Sequence, residues 1–173
     1  MALGRGELIA YPTEAVWGLG CDPYNEEAVA SLLAIKRRPA AKGLILVAAD
    51  ASQLAPLRAG LTDAQWRKLV ATTRQPTTWL VPNNGTLPLW ICGAHDNVAV
   101  RLSSHPVIAA LCAGFGEPIV STSANPTGLP PARNELSARR YFRNGIAAYV
   151  AGATGGAKQP SRIIDLCSGE RLR

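Results

Sequence analysis

The sequence predicts an α/β fold in a single domain over residues 1–173. Three observations point there. Short apolar runs alternate with segments of helical spacing. No internal repeat or long low-complexity linker divides the chain. The 173 residues, 47% hydrophobic and 17% charged, suit one domain with a substantial core and are wrong for a disordered chain.

Leu8 to Tyr11 reads as a first strand, stopped by Pro12. Asn25 is an N-cap with Glu26 and Glu27 in the first turn, where the helix dipole favours negative charge. Ala28, Val29, Leu32, Leu33 and Ile35 continue at helical spacing up to Lys36. Leu44 to Ala49 is a buried strand. Thr62 and Gln65 form a capping box that opens a short helix through Trp66 and Leu69. Thr77 to Val81 and Val98 to Leu102 are further strands. Pro106 starts a helix containing Val107, Ile108, Leu111 and Cys112. Ile119 to Ser121 is a strand, Glu135 to Phe142 a helix, and Ala147 to Val150 and Arg162 to Leu166 are late strands.

Eighteen basic against twelve acidic residues leave a net charge of +6. That excess favours an anionic partner such as a nucleotide, RNA or a phosphate-bearing substrate, although a mildly basic surface also serves solubility. Cys21, Cys92, Cys112 and Cys167 are scattered, with no Cys-x-x-Cys pair. The two histidines, His95 and His105, complete no zinc set. Four dispersed thiols and no signal peptide point to a reducing cytoplasm. Apolar runs such as Leu44–Ala49 are too short to span a bilayer.

Several segments could carry chemistry. Tyr11-Pro12-Thr13-Glu14 through Gly18-Leu19-Gly20 places a hydroxyl and a carboxylate at a strand's C-terminal edge, where ligands of open α/β sheets gather. Its plainer reading is a strand-to-helix turn with Thr13 as a local cap. Lys36-Arg37-Arg38-Pro39-Ala40-Ala41-Lys42 sets four cations in seven residues, suited to phosphate oxygens or else to a solvated basic loop. Ser121-Thr122-Ser123-Ala124-Asn125 can surround an anion with donors or form an ordinary Ser/Thr/Asn turn. Gly152 to Arg162 fails the P-loop pattern, because Ala157 precedes Lys158 and Gln159 follows it; a mobile loop leading to Ser161 fits better. Arg101 lies within an apolar strand and needs a partner, either an internal carboxylate or a ligand's carboxylate or phosphate.

In this order the segments resemble the YrdC-like family of threonylcarbamoyl-AMP synthases, of the short single-domain type. The marks are Tyr11-Pro12-Thr13-Glu14 with Gly18-Leu19-Gly20, Lys36-x-Arg38-Pro39 with Lys42, Val98-Ala99-Val100-Arg101, Ser121-Thr122-Ser123-Ala124-Asn125, and Pro160-Ser161 before Ile163. The resemblance implies a twisted mixed sheet flanked by helices around a basic concave cavity. It implies that threonine's amine takes up bicarbonate or carbon dioxide and that the resulting carbamate attacks the α-phosphorus of ATP. Pyrophosphate leaves, and a partner transferase passes the threonylcarbamoyl group to the adenosine beside the anticodon of certain tRNAs. No protein nucleophile is needed, which agrees with the lack of a Ser–His–Asp or Cys–His arrangement.

By similarity Lys36 and Arg38 are the catalytic cations and hold the triphosphate with Lys42. Ser123 and Asn125 line the nucleotide side and Asn97 meets the nucleotide through its backbone. Thr13, Arg101, Ser121 and Ser161 belong to threonine, Arg101 through its carboxylate. Magnesium accompanies ATP, held mostly by phosphates. Any contact with tRNA or other RNA is expected to be weak.

Three departures stand out. Only seven residues precede Leu8, where family members carry an additional helix, so a sheet face is expected to lack cover. Arg74-Gln75-Pro76 replaces the Pro-Gly-Pro often found ahead of a strand threonine. Val47 stands where some members place a histidine, implying a differently built threonine pocket. Two rivals share the observations: a non-catalytic RNA-binding or ribosome-maturation protein, which the net charge permits and the 6% aromatic content disfavours, and a related carbamoyl-transferring enzyme.

Overall fold

The computed structural model describes residues 1–71, 73 and 75–173. Its strands are β1 (Ile9–Pro12), β2 (Trp17–Gly20), β3 (Ile45–Ala48), β4 (Thr77–Pro82), β5 (Asn97–Leu102), β6 (Ile119–Ser123), β7 (Ala148–Tyr149) and β8 (Arg162–Asp165). Its helices are α1 (Glu26–Lys36), α2 (Asp63–Val70), α3 (Leu89–Cys92), α4 (Pro106–Phe115) and α5 (Glu135–Tyr141). The strands form one sheet in the order β7-β1-β2-β6-β3-β5-β4-β8. β1–β2, β2–β6, β3–β6 and β4–β5 run antiparallel, whereas β1–β7, β3–β5 and β4–β8 run parallel. The sheet is therefore mixed, as the resemblance implied.

The helix signals act as their chemistry requires. Asn25 Oδ1 accepts the Ala28 N–H at the start of α1, and Thr62 and Gln65 cap α2 reciprocally. α4 opens on Pro106 and ends at Gly116, whose φ of 88° suits a residue without Cβ.

The sequence reading missed β2, α3, a 3-10 turn over Leu3–Arg5 and a longer one over Ala51–Gly60. The strand-to-helix turn expected after Tyr11 is a hairpin: Pro12 pairs with Trp17, and Thr13 to Val16 is the loop. Two glycines obscured this strand, because glycine weakens strand propensity. Here they make room for Tyr11. A Cβ on Gly20 would stand 2.9 Å from the Tyr11 ring and 2.6 Å from the Val120 carbonyl oxygen.

One sheet face carries the larger core, which includes Leu32, Leu46, Val100 and Val120. On the other face Ile108 and Cys112 of α4 pack with Val47, Ile119, Ile9 and Tyr11. Leu3 is fully buried in that same cluster. The sheet face expected to lack cover is thus covered by α4 and the Leu3–Arg5 turn. In-register neighbours share a face, so Arg101 sits beside Val47, Ser121 and Ala99 flank Ile45, and Leu80 lies beside Ala99. α4 covers the Val47–Ile119 part of this face, and the remainder opens into a cavity.

The chain enters β3 through a 3-10 turn over Ala40–Lys42 and Gly43, at φ 58° and ψ 179°. Ala94 N–H donates to the Ala41 carbonyl and Leu44 N–H to the Ile91 carbonyl, which docks this segment on α3. A Cβ on Gly43 would lie 2.7 Å from the Cys92 carbonyl oxygen. Both the backbone region and the contact exclude a side chain. Gly43→Ala is expected to lower unfolding free energy by about 2–3 kcal/mol; an unchanged midpoint in urea denaturation would contradict this.

Candidate active site

The open part of the sheet face bounds a cavity of about 860 Å³. Its floor is small and polar because Gly18, Ala99, Ser121 and Ser123 stand where larger side chains would fill the space. Arg38, Lys42, Arg101 and Arg173 line it against two carboxylates, Glu14 and Asp96. A concave surface with this imbalance concentrates positive potential.

Of the ten residues singled out from the sequence, Thr13, Arg38, Lys42, Asn97, Arg101, Ser121, Ser123 and Ser161 line this one cavity. Lys36 and Asn125 are not in its wall.

At one end the hairpin loop meets β5. Arg101 Nη1 donates to Glu14 Oε2 at 2.8 Å, with side-chain exposures of 10% and 18%. Ser103 Oγ donates to the other carboxylate oxygen at 2.7 Å. Of the two partners weighed for Arg101, the internal carboxylate is present, and it is Glu14. Arg101 Nε is buried with no hydrogen-bond partner among the described residues. Thr13 closes the hairpin, its N–H and Oγ1 both donating to the Val16 carbonyl. Ser161 shares a 2.8 Å hydrogen bond with Thr78 Oγ1. The Ser161 carbonyl accepts two bonds from the Arg173 guanidinium, at 3.2 and 3.0 Å. Burial and the nearby Arg101 charge both lower the Arg173 pKa.

At the other end, Arg38 Nη2 donates to the Gly43 carbonyl at 2.8 Å, which bends the guanidinium over the cavity mouth beside Lys42. Burial lowers the Arg38 pKa. Arg37 departs from both, an exposed C-cap residue at φ 50°. Asn97 lies at the wall with Nδ2 3.5 Å from Asp165 Oδ2.

The solvated-loop alternative weighed for this segment does not hold for Lys36. Lys36 is the last residue of α1 and only 3% exposed. Its ammonium donates to the Ser123 carbonyl and, at 2.8 Å, to the Asn125 carbonyl. Its own carbonyl accepts the Thr127 N–H. Lys36 is thus a strut that fixes the Ser123–Asn125 turn to α1. Asn125 ties that turn further, its Nδ2 donating to the Leu129 carbonyl at 2.7 Å. A lysine can reach acceptors far along the chain, 87 residues in this case, so spacing alone could not separate a strut from a phosphate ligand.

Glu14 as the Arg101 partner, Ser103 and Arg173 escaped the sequence reading of the site. A lone buried cation demands a counter-charge, which narrows the search to acidic residues but does not choose among them. Arg74 of the departing Arg74-Gln75-Pro76 stretch lies outside the described residues, while Pro76 lines the cavity.

Fold and cavity together define an α/β protein that gathers cationic side chains on one sheet face, with hydroxyls beside them. Comparison with known proteins narrows the class. Residues 1–173 match the family model of the Sua5, YciO and YrdC proteins, described as "Telomere recombination", and the chain belongs to that family. It is 53% identical over 169 residues to a threonylcarbamoyl-AMP synthase of Cellvibrio japonicus, covering 98% of this chain and 89% of the relative. It is 52% identical over 169 residues to a threonylcarbamoyl-AMP synthase of Pseudomonas aeruginosa, covering 98% and 91%. The crystal structure of P. abyssi Sua5 complexed with L-threonine superposes with a TM-score of 0.89 at 29% identity, covering 98% of this chain and 50% of that one. This chain therefore spans half the length of that structure.

Burial, and secondarily the Arg38 charge, bring the Lys36 ammonium from its ordinary 10.5 down to about 8. Between those values the unfolded chain holds a proton that the folded chain releases, so this residue's contribution to stability rises with pH. The stability of the parent relative to Lys36→Met is expected to increase from pH 8 to 10.5, by up to about 3 kcal/mol. A difference that stays flat across that window in chemical denaturation would show that Lys36 keeps its proton throughout.

Proposed function

We infer that this chain is a threonylcarbamoyl-AMP synthase, a nucleotidyltransferase acting on L-threonine, bicarbonate or carbon dioxide, and ATP. The observation that carries this reading is a single cavity in which anion-binding cations converge from three segments, in a chain more than half identical to proteins of that name. Threonine's amine attacks carbon dioxide and loses a proton, which leaves a carbamate. A carbamate oxygen then attacks the α-phosphorus of ATP, the bond to the β-phosphate bridging oxygen breaks, and pyrophosphate departs. The nucleophile belongs to the substrate, so the protein's work is positioning and charge neutralisation.

The residues divide accordingly. Arg38 and Lys42 take the triphosphate at the mouth, and Arg173 faces the same volume from the far wall. Arg101, oriented by Glu14, takes threonine's carboxylate, with Thr13, Ser121 and Ser161 around it. Ser123 and the backbone at Asn97 border the nucleotide. Lys36 and Asn125 act at one remove, by holding the turn that presents Ser123.

Magnesium would accompany ATP, held mostly by the phosphates, and would neutralise charge on them. Among the described residues no group of three or more His, Cys, Asp or Glu is arranged to hold a metal ion, and Glu14 is already engaged by Arg101 and Ser103. The product is a reactive mixed anhydride for a tRNA-modifying transferase. No helix among the described residues is long and apolar enough to cross a membrane.

Pyrophosphate release from the purified protein with ATP and magnesium is expected to require threonine and bicarbonate together. Serine should be poorer, since one missing methyl is worth roughly 1–3 kcal/mol. Threonine-independent release would sink the assignment. Arg38→Ala is expected to lower turnover by about a hundredfold, as when one preorganised electrostatic contact is removed. The exposed Arg37→Ala should remain within about twofold, because a side chain outside the cavity has no contact with the transition state to lose. Equal effects of the two substitutions would refute the placing of the triphosphate at Arg38.

A further inference from the structure

Beyond the cavity wall lies a buried imidazole with no part in the proposed chemistry. His105 precedes α4 and is 6% exposed. Its Nε2 is 3.1 Å from the Ala153 carbonyl oxygen. A carbonyl can only accept, so the Nε2–H is the donor in this contact. Nδ1 is buried with no partner among the described residues. The His105 N–H donates to Ser103 Oγ, the same hydroxyl that donates to Glu14. A continuous chain of contacts thus runs from Arg101 through Glu14, Ser103 and His105 to Ala153.

Residues 151–157 form no regular structure, and most of them are exposed. The sequence reading took this stretch for a mobile loop, yet it lies tied across the hairpin loop. Gly155 N–H donates to the Thr13 carbonyl at 3.0 Å and Ala157 N–H to the Glu14 carbonyl at 2.8 Å. The approach is close: a Cβ on Gly155 would stand 3.1 Å from Glu14 Cα and 3.4 Å from the His105 ring. Immediately beyond, Gln159, Pro160 and Ser161 enter the cavity wall. An exposed segment with so few anchors opens easily, so each anchor weighs heavily on how long it stays down.

We propose that His105 is a positioning residue: by donating from Nε2 to the Ala153 carbonyl it holds the Ala153–Ala157 strap on the Thr13–Glu14 loop, and thereby sets the threonine end of the cavity. The proposal rests on the synthase reading for the ligand concerned, and on geometry alone for the strap. Replacing His105 with phenylalanine keeps the ring and removes the donor. Replacing it with glutamine keeps an N–H near the position of Nε2.

Amide hydrogen exchange at Gly155 and Ala157 in the free protein reads the strap without any substrate. His105→Phe is expected to speed exchange at both by about three- to tenfold, the range set by one neutral hydrogen bond, and His105→Gln to restore it within about twofold. In steady-state assays of adenylate formation, His105→Phe should raise KM for threonine by a similar factor and leave kcat and KM for ATP within about twofold. If His105→Phe does not fold, Gly155→Ala lifts the strap from the opposite side and should produce the same exchange and KM changes. Unchanged exchange in the loosened variant overturns the proposal. So does a glutamine variant that behaves like phenylalanine, or a loosened strap with an unaltered threonine KM. A parent protein that forms no threonylcarbamoyl-AMP refutes the synthase reading, while the exchange rates still decide whether His105 holds the strap.

Discussion

The ion pair between Arg101 and Glu14 is the constraint around which the site is organised. A guanidinium on a central strand, facing the side of the sheet that also carries Val47 and Ile119, cannot remain unpaired. Glu14 supplies the counter-charge only because the β1–β2 hairpin brings the loop over β5. That placement recruits Ser103 to the second carboxylate oxygen and leaves the Thr13 and Glu14 carbonyls as acceptors for the strap. Such a pair adds little net stability, since desolvation offsets most of its attraction. Its consequence is geometric. Removing one member would leave a buried charge and release the hairpin loop, the entry to α4 and the strap together.

Lys36 shows the complementary use of a buried cation. Where Arg101 presents its guanidinium at the cavity, Lys36 lies outside the cavity wall and spends its donors on the backbone carbonyls of Ser123 and Asn125. The two cations of the Lys36-x-Arg38 pair therefore part. The helix ends between them, with Arg37 in the left-handed region, and the chain reverses direction at that residue. One side chain reaches the carbonyls of Ser123 and Asn125 at the end of β6 and the other reaches the Gly43 carbonyl. Residues that alternate along a sequence do not share a direction when a helix C-terminus lies between them.

The cavity itself exists by omission. α4 and Leu3 seal one part of the sheet face with apolar side chains. On the remaining part, glycine, alanine and serine leave space above the sheet, and Arg38, Lys42, Arg101 and Arg173 line it. A domain of this size would ordinarily fill such a face with apolar side chains to stabilise itself. Leaving it open removes apolar burial from the stability balance, and the larger core on the opposite face compensates.

Much of this was legible in one dimension. Apolar runs and caps located seven of the eight strands and the four longer helices, because periodicity and capping are local properties of the chain. The residue types of the site were legible too, and eight of ten candidates meet in one cavity. β2 was not, since its glycines look like a turn until the Tyr11 ring that needs their space is in place. Nor was the direction of Lys36, the identity of the Arg101 partner or the anchoring of residues 151–157. Each of these depends on atoms from segments distant in sequence arriving at hydrogen-bonding distance. By itself the sequence determined which side chains could bind anions and where seven of the strands and the four longer helices lie. Only the tertiary structure decided which cations line the cavity and which are engaged by backbone carbonyls away from its wall, because a charge's partner is set by proximity in space, and proximity across the sheet is a property of the strand order.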